Sequence, residues 1–65
     1  MIYIYYNSKT EKIEAYKDLE NLLNSKRIAI KNKVLQYFKM LKREGKYKHV
    51  DFIIYKADVK HLIEN

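Results

Sequence analysis

The chain has to build its core from 65 residues without a single cysteine, and this limits the fold more than any other feature. A chain of this length forms one domain and buries only about 60% of the surface that its unfolded form exposes. Neither a disulfide nor a thiolate metal site can reinforce so small a core. Because hydrophobic residues make up 48% of the chain, we expect one marginally stable globular domain over residues 1–65.

The lack of cysteine also bears on the compartment. Secreted domains of this size usually carry disulfides. No apolar run approaches the ~18 residues that a membrane span needs. The N-terminal segment MIYIYYNSK has neither the basic start nor the long apolar stretch of a secretion signal. These features predict a cytoplasmic protein with no membrane partner.

The N-terminal segment is rich in isoleucine and tyrosine, which favours a β-strand. Side chains of a strand alternate between its two faces. We therefore expect the first strand to place Ile2, Ile4 and Tyr6 on one face. Tyr3 and Tyr5 then lie on the other face.

Two interpretations fit residues 9–17. In the first, NSKTE is a hairpin loop that leads into a second strand. In the second, Ser8 caps a helix and Glu11 is its capping-box partner. We favour the hairpin, because Asn7 and Ser8 are good turn residues and Asp18 offers a later N-cap.

Two helices are predicted in the middle of the chain. The first is short and runs over residues 19–24, where Asn24 and Ser25 end it. The second is long and runs from about residue 27 to 43, with Gly45 as its C-terminal stop. Its buried stripe follows the helical repeat and comprises Ile30, Val34, Tyr37, Phe38 and Leu41.

The C-terminal part is predicted to add one strand to the sheet. After a loop with the sequence GKYKH, residues 50–56 have the composition of a strand, and residues 58–63 form a short last helix. The predicted fold is α+β. It consists of an N-terminal β-hairpin, a short helix, a long basic helix and a C-terminal strand that joins a small antiparallel sheet.

Positive charge is concentrated in the middle of the chain. Residues 26–48 contain nine cationic side chains and one carboxylate, a net charge of +8, whereas the segments before and after them each carry a net charge of −1. An anionic partner explains such a cluster, and nucleic acid is the natural one. A solvated helix face is the alternative explanation.

The long helix carries polar side chains opposite its buried stripe. Asparagine and glutamine can pair bidentately with adenine, while arginine and lysine bind guanine or phosphate. These are the side chains of a nucleic-acid-binding surface. The stripe comprises Asn32, Gln36, Lys39 and Arg43. The full set of predicted nucleic-acid-binding residues is Lys26, Arg27, Lys31, Asn32, Gln36, Lys39, Lys42, Arg43, Lys46 and Lys48.

The run LENLLN-SKR-IAIKNKVLQYFK has the outline of two helices joined by a short turn. The glycine expected in such a turn is absent, and Ser-Lys-Arg takes its place. The segment 13–39 resembles the small helix-turn-helix modules of phage-encoded proteins and homing endonucleases. The resemblance implies DNA contact by the second helix. Its early residues, Lys31, Asn32, Leu35 and Gln36, would be presented to the DNA.

Metal and cofactor chemistry finds little support in the sequence. His49 and His61 have neither cysteine nor a carboxylate at ligand spacing, so we expect surface histidines rather than a metal site. Asp51, Asp58 and Lys60 have the residue types of a Mg²⁺ nuclease. The two aspartates are too close in sequence to lie on adjacent strands, and Asp58 suits a helix N-cap better. We expect no metal and no cofactor.

A metal-independent ribonuclease is a further alternative. In outline the chain resembles small bacterial ribonuclease toxins, which use basic and tyrosine side chains on a sheet. The residues that would serve are Tyr47, Lys48, Tyr55 and Lys56. The chain is short for the full sheet of such toxins, and the tyrosines also suit half-buried strand positions.

The last alternative is a protein-binding module of the phage-accessory type, or an inhibitor of a partner protein. Tyrosine is favoured at interface hot spots. A patch near one end could comprise Tyr3, Tyr5, Tyr6 and Tyr16. Exposed tyrosines beside the basic helix favour nucleic acid, whereas tyrosines in a separate apolar patch favour a protein partner.

Taken as a whole, the sequence favours a small, non-enzymatic and regulatory nucleic-acid-binding protein. A homodimer is compatible with it, because a small sheet has open edges and a small core gains from association.

Overall fold

The computed structural model describes residues 1–58, in which two helices cover one face of an antiparallel sheet. The strands are β1 (Ile2–Asn7), β2 (Ile13–Tyr16), β3 (Gly45–Lys48) and β4 (Phe52–Ala57), and the helices are α1 (Leu19–Ser25) and α2 (Lys31–Met40). The strand order in the sheet is β2-β1-β4-β3. The α+β class is confirmed, with the N-terminal hairpin, the two helices and the C-terminal strand.

The N-terminal hairpin is held by its turn chemistry. The Asn7 side-chain oxygen accepts hydrogen bonds from the amides of Lys9 and Thr10 at 2.9 and 3.1 Å. The Asn7 amide donates to the Lys12 carbonyl at 3.0 Å and closes the loop. Glu11 adopts a left-handed conformation with φ 60. The hairpin interpretation is therefore confirmed, and the helical interpretation of residues 9–17 is wrong.

The short helix α1 begins and ends through local hydrogen bonds. Asp18 is its N-cap, as predicted, and its carboxylate accepts from the Glu20 amide at 3.2 Å. At the other end the Arg27 amide donates to the Asn24 carbonyl at 3.2 Å, and the amide of the next residue donates to Leu23 at 3.1 Å. Together these two bonds form a Schellman motif, in which Arg27 takes the left-handed position with φ 51.

Helix α2 is shorter at both ends than the predicted span of residues 27–43. The left-handed backbone of Arg27 keeps this residue out of the helix, and the N-cap is Ile30, so the helix begins at Lys31. At its C-terminal end the backbone of Leu41 is extended, with ψ 107. The Lys56 ammonium donates to the Leu41 carbonyl at 2.9 Å and satisfies an acceptor that the helix leaves free.

The prediction of a loop at GKYKH is wrong, because Gly45–Lys48 forms strand β3. This strand pairs with β4 and places Tyr47 opposite Ile54. Gly45 is therefore a strand residue and not a helix stop. A Cβ atom there would lie 2.5 Å from Leu41 Cδ2, so glycine lets the Leu41 side chain pack against the sheet.

The sheet has four strands in place of the three predicted. The C-terminal strand is expected over residues 50–56 and runs from Phe52 to Ala57. It therefore begins two residues later and ends one residue later than the sequence predicts. Of the last predicted helix, all but its first residue lies outside the described residues.

The core lies between the helices and one face of the sheet. Its buried members are Tyr5, Leu19, Leu22, Leu23, Val34, Phe38, Phe52 and Ile54. Phe38 is 3% exposed, as the helical stripe predicts, and its ring contacts those of Tyr3 and Tyr37. The prediction that Tyr37 is buried is wrong, since 40% of it is exposed and its hydroxyl donates to the Lys46 carbonyl at 2.7 Å.

The second face of the sheet carries neither helix among residues 1–58. Tyr3 and Tyr5 face the helices, so Ile2, Ile4 and Tyr6 face the other way, in the grouping predicted. The strand registers place the alternating residues of the other strands on the same side. This open sheet face comprises Ile2, Ile4, Tyr6, Ile13, Ala15, Lys46, Lys48, Ile53, Tyr55 and Ala57.

Candidate nucleic-acid interface

Helix α2 turns one side toward the core and the opposite side toward solvent. Val34 and Phe38 are its buried residues. All residues on the opposite side are exposed, including Met40, of which 74% is exposed. We define the outer face of α2 as Asn32, Lys33, Gln36, Lys39 and Met40. Lys33 and Met40 are absent from the predicted set, although the helical repeat places both on this side.

A shallow groove of about 700 Å³ runs along this face. Its lining brings together four predicted residues with two apolar ones: Asn32, Leu35, Gln36, Lys39, Met40 and Lys42. Arg43 follows Lys42 in the exposed segment between α2 and β3. The groove therefore combines amide, ammonium and apolar groups on one side of the domain.

Two predicted lysines are engaged inside the domain instead. The Lys26 ammonium forms an ion pair with Glu14 on β2 and lies 5.3 Å from the centroid of the Tyr5 ring. The hydrogen bond with Glu14 raises the pKa of Lys26, and the same bond lowers the pKa of the Glu14 carboxyl. Lys26 therefore links the turn after α1 to the hairpin, and its role in this fold is structural.

Lys31 is engaged in a similar way at the start of α2. Its ammonium donates to the Asn24 side-chain oxygen at 2.7 Å and lies 3.9 Å from the Glu20 carboxylate. Both partners belong to α1, so Lys31 joins the two helices.

Within residues 1–58, the cations on and beside the outer face of α2 have no such partners. Within residues 1–58, the ion pairs are those of Lys26 and Lys31 and one between Lys9 and Asp51. The remaining cations on and beside α2 belong to no ion pair in that part of the chain: Lys33, Lys39, Lys42 and Arg43. Their charges add up to a positive potential on this side of the domain.

The other three predicted cations lie elsewhere. Arg27 lines a cavity of about 270 Å³ between the α1–α2 turn and the β3–β4 turn, together with His49 and Asp51. Lys46 and Lys48 project from β3 onto the open sheet face, on the opposite side from α2. Of the predicted set, the residues of the groove and Arg43 therefore form one group on and beside the outer face of α2, and the other five lie outside it: Lys26, Arg27, Lys31, Lys46 and Lys48.

The two-helix outline of the sequence is present, with residues 26–30 between α1 and α2. Asn32 and Gln36 are exposed on the second helix. Leu35 is half-buried and packs against the core, so it faces inward more than the sequence suggests. In the described part of the chain, no side chain caps the N-terminus of α2.

The alternative sites are separated by the sheet. Tyr47 and Lys56 face the helices, whereas Lys48 and Tyr55 lie on the open sheet face, so the predicted ribonuclease residues do not converge. The predicted tyrosine patch is also wrong. Tyr5 is buried and Tyr3 packs on the core, while Tyr6 lies on the other face.

His49 has a local structural role. Its ring stacks on Phe52, and its Nδ1 atom accepts a hydrogen bond from the Asp51 amide at 3.2 Å. Among residues 1–58 there is no group of three or more side chains that could hold a metal ion. Neither helix of the described region has the length and apolar character of a membrane-spanning segment.

Comparison of the chain with protein-family models, curated proteins and solved structures gave no match.

Proposed function

We propose that this chain is a non-enzymatic, regulatory protein that binds nucleic acid through the outer face of α2 and the segment that follows it. One observation carries the proposal. Four cations without ion pairs among the described residues lie on and beside α2, which also carries two exposed amide side chains on its outer face. The cations are Lys33, Lys39, Lys42 and Arg43, and the amides belong to Asn32 and Gln36.

The shape of α2 suits a nucleic-acid groove. An α-helix with its side chains is about 10–12 Å in diameter, and the major groove of duplex DNA is about 12 Å wide, so α2 has the diameter to enter it. The lysines would bind phosphates and set the orientation, whereas Asn32 and Gln36 would contact base edges. Met40 adds an apolar side chain of the kind that contacts a thymine methyl group.

The engaged lysines support this role indirectly. Because Lys26 and Lys31 tie α1, α2 and the hairpin together, α2 is presented on a fixed support. A surface whose backbone is already ordered loses less conformational entropy when it binds.

The experiment compares two double variants with the same change in net charge. Lys39→Ala/Arg43→Ala removes two cations of the proposed surface, and Lys9→Ala/Lys12→Ala removes two from the hairpin. At low salt we expect the first variant to bind a labelled duplex about tenfold more weakly or worse, which is about 1.4 kcal/mol. The hairpin variant should stay within about threefold of the wild type, since at the proposed surface it alters only the long-range potential. It also breaks the exposed ion pair between Lys9 and Asp51, and such surface pairs contribute little to stability.

Base contacts have a different signature. Asn32→Ala or Gln36→Ala should change the preference among sequences by about 1–3 kcal/mol for each lost base contact. Thermal stability should hardly move, because both side chains are exposed. Equal binding by the wild type and by Lys39→Ala/Arg43→Ala, in the presence of measurable affinity, would place the binding surface elsewhere.

A protein-binding role is the second candidate, and the open sheet face is the observation that favours it. Tyr6 and Tyr55 lie there among isoleucines, apart from α2. A separate apolar patch that contains tyrosine is the arrangement expected for a protein partner.

A further inference from the structure

The open sheet face is apolar except along one edge. Four isoleucines, two alanines and two tyrosines cover its centre and its β2 edge, and Lys46 and Lys48 stand on β3. Ile13 is 66% exposed and Tyr55 is 37% exposed. No strand residue on this face carries a carboxylate. A patch of this kind on a small domain marks an interaction surface.

The strand registers order this face into two rows across the sheet. From β2 to β3, one row reads Ile13, Tyr6, Ile53 and Lys48. The other row reads Ala15, Ile4, Tyr55 and Lys46. Each row therefore begins with an aliphatic side chain at one edge and ends with a lysine at the other.

We propose that the open sheet face binds a second copy of this chain, with the two-fold axis parallel to the strands. Rotation about this axis keeps the position along the strands and reverses the order of the strands. Each row of one copy therefore lies over the same row of the other copy, read from β3 to β2. Lys48 then lies over Ile13, and Tyr6 lies over Ile53. The contact is isologous, as a two-fold interface requires, and it forms an aligned packing of two sheets.

Charge selects this arrangement among the possible ones. With the axis parallel to the strands, the β3 lysines of the two copies lie at opposite edges of the interface. A two-fold axis perpendicular to the strands would instead place the lysines of one copy on those of the other. Lysine stems can cover Ile13 and Ala15 while their ammonium groups remain in water. A polyanion would leave the aliphatic centre of the face uncovered, so a second copy fits the whole surface better.

The size of the face predicts a dissociable dimer. The strands contain six, four, four and six residues, an average of five. With strands about 4.8 Å apart and about 3.3 Å per residue, the footprint is roughly 19 by 17 Å, or about 300 Å² in projection. Ridged side chains expose more area than their projection, but a stable interface buries about 800 Å² per partner. We therefore expect association in the micromolar range.

The test is sedimentation velocity of the full chain from about 1 to 500 μM. Ile13→Lys would place the new lysine of each copy opposite Lys48 of the other copy, at both edges of the interface. It should raise the dimer dissociation constant at least tenfold. Ile13→Lys/Lys48→Glu should restore association to within about threefold of the wild type, because opposite charges then face each other. Val50→Lys is the control, since Val50 is 88% exposed and lies outside the four strands. It should leave association unchanged.

Circular dichroism of each variant checks that the domain is folded. A wild type that stays monomeric at every concentration overturns the proposal and assigns the face to residues 59–65 of the same chain or to another partner. Dissociation by Ile13→Lys without restoration by the second substitution overturns the proposed orientation. Because α2 lies on the opposite side of the sheet, these results do not depend on nucleic-acid binding.

Discussion

The turn between the two helices offers a sharp test of the backbone. Arg27 occupies the left-handed position of a Schellman motif with φ 51, where glycine is the usual residue. A side chain with a Cβ atom in this conformation costs roughly 1–2 kcal/mol. Glycine removes that cost but adds about 0.5–1 kcal/mol of conformational entropy to the unfolded chain.

The midpoints of these two ranges differ by about 0.75 kcal/mol, so Arg27→Gly should raise the free energy of unfolding by about 0.5–1 kcal/mol. For a domain of 60–100 residues, each kcal/mol moves the midpoint by about 4–8 °C, so we expect a rise of roughly 2–8 °C. Thermal unfolding followed by circular dichroism measures it. Arg27→Ala is the matched control, because it removes the same charge and keeps the Cβ atom.

We expect no gain in stability from Arg27→Ala. If the alanine variant gains as much as the glycine variant, the charge of Arg27 and not its backbone conformation limits stability. If the glycine variant melts lower than the wild type, the left-handed turn between α1 and α2 is refuted.

Three further predictions concern stability. Phe38→Ala should lower the free energy of unfolding by about 3–5 kcal/mol, because the ring is only 3% exposed in the core. The variant should therefore show no cooperative unfolding transition in a thermal melt. Glu11→Gly should be neutral or stabilising in the same assay, since φ is 60 in the hairpin loop, and a clear loss would contradict the hairpin. Glu14→Gln should lower stability slightly at pH 7. Because Lys26 lowers the pKa of the Glu14 carboxyl, the wild-type advantage should fade as the pH falls below about 4, and an advantage that persists in acid would contradict the ion pair.

Local signals were sufficient to predict part of the fold. The turn residues after β1 and the cap at Asp18 each act within a few positions, so the hairpin and the start of α1 follow from the sequence. Phe38 was predicted correctly because its burial follows the helical repeat. These features need no knowledge of distant contacts.

The errors arose where distant contacts decide the structure. Gly45–Lys48 contains two lysines and one apolar residue, and it becomes a strand only because it pairs with β4. Leu41 continues the apolar repeat of α2, yet its backbone is extended. The open sheet face depends on the missed strand and on both helices packing against the same side, so the sequence alone could not reveal it.

The candidate site divides in the same way. The excess of positive charge is a property of the sequence, and the exposed stripe of α2 follows from the helical repeat. The engagement of Lys26 by Glu14 joins residues on different elements and appears only in the folded chain. Charge along the sequence therefore predicts more available cations than the fold provides.

The salt dependence of binding tests the proposed function most directly. Each phosphate neutralised on duplex DNA contributes about −0.9 to the slope of log K against log salt. The four cations on and beside α2 that form no ion pair within residues 1–58 therefore predict a slope of about −3 to −4. Nucleic-acid binding by this surface predicts that slope for the wild type, and for Lys39→Ala/Arg43→Ala a slope whose magnitude is lower by about two phosphate contacts, or about 1.8. The absence of salt-sensitive association with DNA or RNA, at low ionic strength and micromolar protein, would contradict it.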